Sequence, residues 1–307
     1  ILDSKINIDS VGKAIKGKDS VTVENANITI NAEDDGITTD GALVINGGNI
    51  NIEKAGEGLE GVSIDINGGN IDIVASDDGI NARGLIDDSA TDAEKEAYGE
   101  ENQADTYLKI TGGTVNVNAS ADGIDSNGQV YIDGGTVIVS GATSGPDVAL
   151  DYNGKAVITG GTFVSTGVQE MAQTFDSSST QNFITVYYDS TVAAGSEIKV
   201  TDKDGNTVLS YNVDKEFTFA VISSDKLSTG ETYTVTAGDN SDEVTITAGG
   251  STIGERSAGG PGGPNRNGGP GGNPPTGQPP QKPTDANGNE IEMPGSPSGE
   301  SSQTEKN

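Results

Sequence analysis

The sequence predicts an all-β fold, a parallel β-helix with rungs of about 22 residues, and three recurring features point to it. Gly-Gly pairs stand at Gly47-Gly48, Gly68-Gly69, Gly112-Gly113, Gly134-Gly135 and Gly160-Gly161, at successive spacings of 21, 44, 22 and 26. Each pair is flanked by alternating apolar stretches, such as Leu43/Ile45 before the first and Ile50/Ile52 after it. A third apolar position follows a Gly or small-residue turn at Ile37, Leu59, Ile80, Ile124 and Leu150.

Period-two alternation marks half-buried strands. One repeat therefore supplies three short strands and three corners, which is one rung of a solenoid. A leucine-rich repeat of similar period would need regularly spaced Leu and an Asn ladder, whereas Ile and Val dominate here. The template extends backwards through Val21/Val23, Ile28/Ile30 and Ile37, where Asn25-Ala26 replaces Gly-Gly, to a partial rung at Ile6/Ile8 and Ile15. The helix is assigned to residues 1–181.

The 44-residue spacing contains a polar insertion at residues 85–106. Its Thr91-Asp92-Ala93-Glu94 is a capping box that predicts a short helix through Tyr98. That position beside an acidic corner suits a lid, although a tolerated surface insertion explains it as well. Residues 182–249 lose the repeat and show hairpin signals, including Asp202-Lys203-Asp204-Gly205-Asn206. They predict a β-rich cap over the open end of the solenoid, which would otherwise expose unpaired rungs. Tyr187 and Tyr188 are expected to pack within that cap. Residues 250–307 are rich in Gly and Pro and too poor in apolar residues to repay the entropy of ordering, so a disordered tail is expected. The NPPTG stretch at 273–277 lacks the Leu and the apolar run of a sortase signal and is not assigned as an anchor.

The formal net charge is −30, from 47 Asp+Glu against 17 Lys+Arg, which disfavours nucleic acid and anionic membranes as partners. The absence of Cys, His and Trp removes thiolate and imidazole metal sites, cysteine nucleophiles and histidine bases. Chemistry must run on carboxylates, lysines, hydroxyls and hard cations such as calcium. Without an initiator Met, a signal peptide or an 18-residue apolar run, the chain is expected to be a processed or truncated product that does not insert into a membrane.

Aligned on the third apolar position, a carboxylate recurs two residues earlier: Asp35, Glu57, Asp78, Asp122, and Asp147 in a rung widened by one residue. The residue after that position is Thr38, Glu60, Asn81, Asp125 or Asp151, and Asp34 and Asp77 add acids to the same corners. Rungs stack about 4.8 Å apart. Two carboxylates at that distance repel by about 0.9 kcal/mol in water and by more at a low-dielectric surface. A cation midway between rungs would find oxygens at about half that spacing, which suits calcium's 2.3–2.6 Å bonds. Solvated Asp-Gly turns are the plainer explanation, but recurrence in register favours cation sites. The Asp202–Asn206 loop is no EF-hand, since its Gly falls early and position twelve lacks Glu. The Gly-Gly pairs turn corners and do not bind phosphate, because no helix or Lys-Ser/Thr follows.

The corners Asp34-Asp35-Gly36-Ile37, Ser76-Asp77-Asp78-Gly79-Ile80 and Ala121-Asp122-Gly123-Ile124 alternate with INGGNI, TGGTV and DGGTV. With Lys215-Glu216-Phe217 and the stretch from Leu227 to Tyr233, they resemble the bacterial carbohydrate-binding domain-containing β-helix family. The resemblance implies a right-handed parallel β-helix of polysaccharide-lyase-like architecture, bound calcium, and affinity for cellulose or polygalacturonate. It implies calcium ligands at the acidic corners, and an extracellular or cell-surface location in bacteria. The sequence departs from the pattern where Lys13 and Lys16 replace corner acids and where Glu57 and Glu60 lengthen them.

Three functions are then open: non-catalytic, calcium-dependent polysaccharide binding; a pectate-lyase-like reaction; and a structural or adhesive module. A lyase would need a Lys or Arg base beside calcium, for which Lys54 and Arg83 are the nearby residues, but neither recurs and neither sits in a catalytic constellation. Binding without catalysis is the expectation.

Overall fold

The structure is a computed structural model that describes residues 1–85, 91, 99 and 101–257. The described residues form one compact unit within Ile1–Gly260. The expected β-helix is present as three parallel sheets. The first contains β1 (Lys5–Ser10), β4 (Ala26–Ala32), β7 (Gly48–Ala55), β10 (Asn70–Ala75), β13 (Thr114–Ala119), β16 (Thr136–Ser140) and β19 (Thr162–Gly167). The second contains β2 (Ile15–Gly17), β5 (Ile37–Thr39), β8 (Leu59–Gly61), β11 (Ile80–Ala82), β14 (Ile124–Ser126) and β17 (Leu150–Tyr152). The third contains β3 (Ser20–Val23), β6 (Ala42–Ile45), β9 (Ser63–Ile66), β12 (Tyr107–Ile110), β15 (Gln129–Ile132) and β18 (Ala156–Ile158).

The register stacks like on like. Ile37, Leu59, Ile80, Ile124 and Leu150 form one column, and Ile45, Ile66, Ile110, Ile132 and Ile158 another. All ten side chains are buried, each worth about 1.5–3 kcal/mol of transfer free energy. Pairing runs directly from Ile80 to Ile124 and from Ile66 to Ile110, so the insertion leaves the stack unbroken. Its expected helix falls largely on residues outside the described ones.

The second glycine of each pair adopts a left-handed backbone, from φ +81° at Gly135 to +103° at Gly48. A Cβ there would also strike the previous rung: 2.1 Å from the Ala26 carbonyl at Gly48 and 2.6 Å from the Gly69 carbonyl at Gly113. Where Asn25-Ala26 replaces the pair, Asn25 takes the left-handed conformation at φ 51°, which asparagine tolerates better than most residues.

The end of the helix differs from the sequence reading in two respects. Its interior is closed by the loop at 168–181, not by residues 182–249 alone. Val168, Ala172 and Phe175 join the solenoid core, and Phe175 makes edge contacts with Phe163 and Phe183 at centroid distances of 4.8 and 5.7 Å. The remaining segment extends the first sheet: β23 (Phe217–Ser223) pairs antiparallel with β19, β20 (Phe183–Val192) pairs with β23, and β26 (Ser251–Ile253) pairs with β20. Ser251–Ile253 is therefore a strand, three residues that the sequence reading assigned to the disordered tail. Residues 254–257 of that expected tail are also placed, with Arg256 donating to the Ala172 carbonyl and the Ser257 N–H to Gln169, and from residue 258 the tail lies outside the described residues.

A four-stranded antiparallel sheet of β21 (Glu197–Asp202), β22 (Thr207–Asn212), β24 (Thr232–Ala237) and β25 (Asn240–Thr245) completes the cap. Its core includes Ile138 and Val164 on the outer face of the solenoid. Those two end a column that is otherwise polar, Thr29, Asn51, Asp72 and Asn116, so the outer face turns apolar where the cap covers it. Tyr188 is buried in this core against Phe217, and Tyr187 packs on Phe219. Asp202 closes the hairpin by accepting the N–H groups of Asp204 and Asn206 at 2.9 and 2.8 Å. No described helix is long and apolar enough to cross a membrane.

Candidate metal centre

The acidic corners form two columns along one edge of the second sheet. Backbone bonds from Ala14, Gly36, Gly58, Gly79 and Gly123 to the residues one rung on place Lys13, Asp35, Glu57, Asp78, Asp122 and Val148 in the first column. Strand register places Lys16, Thr38, Glu60, Asn81, Asp125 and Asp151 in the second. The sequence reading had Asp147 in the first column. Val148 holds that place, and it donates its N–H to Asp122. Asp147 stands one residue earlier, because the extra residues of this 26-residue rung precede Val148 and leave its two-residue offset from Leu150 unchanged, and it is close enough to add to the field on Asp78. Asp34 and Asp77 are exposed beside the corners.

Two groups of carboxylates converge: Asp35 with Glu57 and Glu60, and Asp122 with Asp125 and Asp151, each with one oxygen per residue within 4.8 Å of the others. Asp78 and Asn81 lie on the rung between them. The corner aspartates also have backbone work. Asp35 accepts the N–H of Glu57 at 3.4 Å and Asp78 that of Asp122 at 3.0 Å. These bonds account for an Asp at the corner without any ion, and for one oxygen of each.

Electrostatics separate the two groups. Around the first, Lys13 pairs with Asp35 and with Glu60, the latter at 3.3 Å, and Arg83 pairs with Glu60. Thr38 donates to Glu60 at 2.6 Å. Burial works against ionisation of Glu60, but Thr38, Arg83, Asp35 and Lys13 together outweigh it and draw its pKa down to about 2. Glu57 makes no ion pair among the described residues, and burial, then the charges of Glu60 and Asp35, push it up to about 7.

Around the second group, no ion pair among the described residues reaches Asp78, Asp122 or Asp125. Burial first, and then neighbouring carboxylates, raise Asp78 to about 6 and both Asp122 and Asp125 to about 8. Desolvation and like charge both oppose the ionised form here, and a cation would relieve both. Gln173 donates to Asp151 at the far end.

An orphaned atom tests the fit to a hard cation. Asn81 is 5 % exposed, and its Nδ2 donates to Glu57 at 3.2 Å while its Oδ1 is buried without a hydrogen-bond partner. A buried acceptor without a donor costs about 1–3 kcal/mol, and a carbonyl-type oxygen beside carboxylates belongs to calcium's donor set. Asp122, Asp125 and Asp151 are half-buried, which leaves the solvent side of such an ion open. The donors between Asp78 and Asp151 fit a calcium-type ion, whereas those of Asp35 and Glu60 are already engaged.

The two basic residues considered for lyase chemistry are both ion-paired, Lys54 with Glu33 at 2.5 Å and Arg83 with Glu60.

No curated protein and no solved structure matches the chain. Over residues 1–148, which hold most of the repeats and of both acidic columns, the chain matches the family of carbohydrate-binding domain-containing proteins.

Proposed function

We propose that the protein is an extracellular, non-catalytic module that binds plant cell-wall polysaccharide in a calcium-dependent manner. The family match over residues 1–148 supports carbohydrate binding. The observation that carries the calcium reading is the Asp122, Asp125 and Asp151 cluster, in which the pKa values of Asp122 and Asp125 are raised, beside the orphaned Oδ1 of Asn81. Bound calcium supplies positive charge that offsets these carboxylates and, on its open side, accepts oxygens from a glycan. A protein of formal net charge −30 thereby holds a uronate polymer that it would otherwise repel, and cellulose remains the neutral alternative ligand.

The test is retention on insoluble pectate and on cellulose, in millimolar calcium and in EDTA, with Asp122→Asn/Asp125→Asn alongside. Calcium-dependent retention lost in the double variant is expected. Retention unchanged by EDTA and by the substitutions would overturn calcium dependence, and unsaturated uronate absorbance would overturn the non-catalytic reading.

A further inference from the structure

We infer that the N-terminal half of the acidic corner carries its own counter-ions, Lys13 and Arg83, in the place of a metal ion, so that Asp35 and Glu60 bind no cation. The two acidic clusters look alike in sequence, and the difference lies in which oxygens are still free. Asp35 gives one oxygen to Lys13 and the other to the N–H of Glu57. Glu60 gives one to Arg83 and the other to Thr38 and Lys13. Glu57 gives one to Asn81 and keeps one buried and unpartnered. One of the six oxygens therefore remains open, where calcium takes six to eight oxygen ligands.

The charges agree. Three carboxylates face two cations in this cluster, and both cations are tethered. Lys13 occupies the corner position itself, one rung before Asp35. It reaches along the stack to Glu60, two rungs on, which a short acid at that position could not do. Arg83 follows the strand of the next rung, β11, and returns to Glu60 from the other side. An incoming ion would have to displace both salt bridges and then sit beside two positive side chains. The pair brackets the N-terminal end of the ladder, whereas no ion pair among the described residues reaches Asp78, Asp122 or Asp125. The occupants come from the chain, so this end is expected to stay ordered when calcium is removed.

The experiment counts calcium ions bound per full-length chain by isothermal titration, with folding checked by circular dichroism. Lys13→Gln/Arg83→Gln frees the oxygens of Asp35 and Glu60, and the count is expected to rise by one. Glu60→Gln in the native background is expected to leave it unchanged, because no ion sits there. A folded double variant with no added ion would overturn the inference, and so would loss of an ion in Glu60→Gln. The inference builds on calcium at the C-terminal cluster but fails separately from it. Asp125→Asn reports on that site alone, and a native chain that binds no calcium would sink the proposed function while the gain in Lys13→Gln/Arg83→Gln still decides this point.

Discussion

The Oδ1 atom of Asp78 accepts the backbone N–H of Asp122 at 3.0 Å, across 44 residues of chain and one rung of the stack. A single carboxylate thus has two duties: one oxygen satisfies the corner of the next rung, and the negative charge adds to the ladder.

Those duties separate by substitution. Asp78→Asn keeps an acceptor and removes the charge, so in EDTA at neutral pH it is expected to melt at or above the native temperature while calcium affinity falls. Asp78→Ala leaves the Asp122 N–H without its partner and is expected to cost about 1–3 kcal/mol. Urea unfolding of both variants in EDTA, with calcium titrations, distinguishes them. Equal destabilisation by Asn and Ala would remove the backbone role.

Stability in EDTA should depend on pH in two windows. Asp122 and Asp125 are raised to about 8, and Glu57 and Asp78 to about 7 and 6. The folded state binds these protons more tightly than the unfolded state, so their contribution is fully present below about pH 4 and is lost as pH rises through 6 to 8. Glu60 is depressed to about 2, so its contribution is present above its ordinary value of about 4.3 and is lost as pH falls towards 2. A melting series in EDTA should show a maximum near pH 4 to 5 and a decline of several degrees towards pH 8. Millimolar calcium should flatten the alkaline limb, and a melting temperature that climbs between pH 5 and 8 in EDTA would contradict the charge argument.

Gly113→Ala tests the stacking of corners. Its φ of +85° disfavours an L side chain, and a Cβ would lie 2.6 Å from the Gly69 carbonyl. A loss of more than about 1 kcal/mol is expected. At Gly12 a Cβ meets nothing within 4 Å, and Gly12→Ala should be neutral or slightly stabilising. Similar denaturation midpoints for the two variants would contradict the close approach.

Lys215 links the cap to the solenoid. Its Nζ donates to the backbone carbonyls of Gly141 at 3.1 Å and of Ser140 and Ala119, and burial lowers its pKa. Lys215→Met keeps the aliphatic stem and removes the donors. The expected result is faster amide exchange in β19 and β23 at a cost of about 1–3 kcal/mol. Unchanged exchange there would mean that apolar packing alone holds the cap.

Much of this architecture was legible because a parallel stack repeats its own environment. Ile80 and Ile124 meet because each sits at the same phase of a repeat, and the insertion between them changes only the loop length. The two columns of corner residues followed from the same arithmetic, except in the lengthened rung, where Val148 and not Asp147 keeps the two-residue offset from Leu150. The cap was less legible, since the partners of β19 and β26 are set by antiparallel and long-range pairing that no repeat announces.

The sequence by itself determined the solenoid, its three corners per rung and the concentration of acids along one of them, because burial, glycine stereochemistry and a constant period act locally and identically in every rung. Only the tertiary structure decided which of those acids are already neutralised. Lys13 reaches Glu60 two rungs away, Arg83 returns to it from the strand beyond, and Asn81 is left with a buried oxygen and no donor. Those outcomes depend on the length and direction of side chains across the stack, and the spacing of residues along the chain does not specify either.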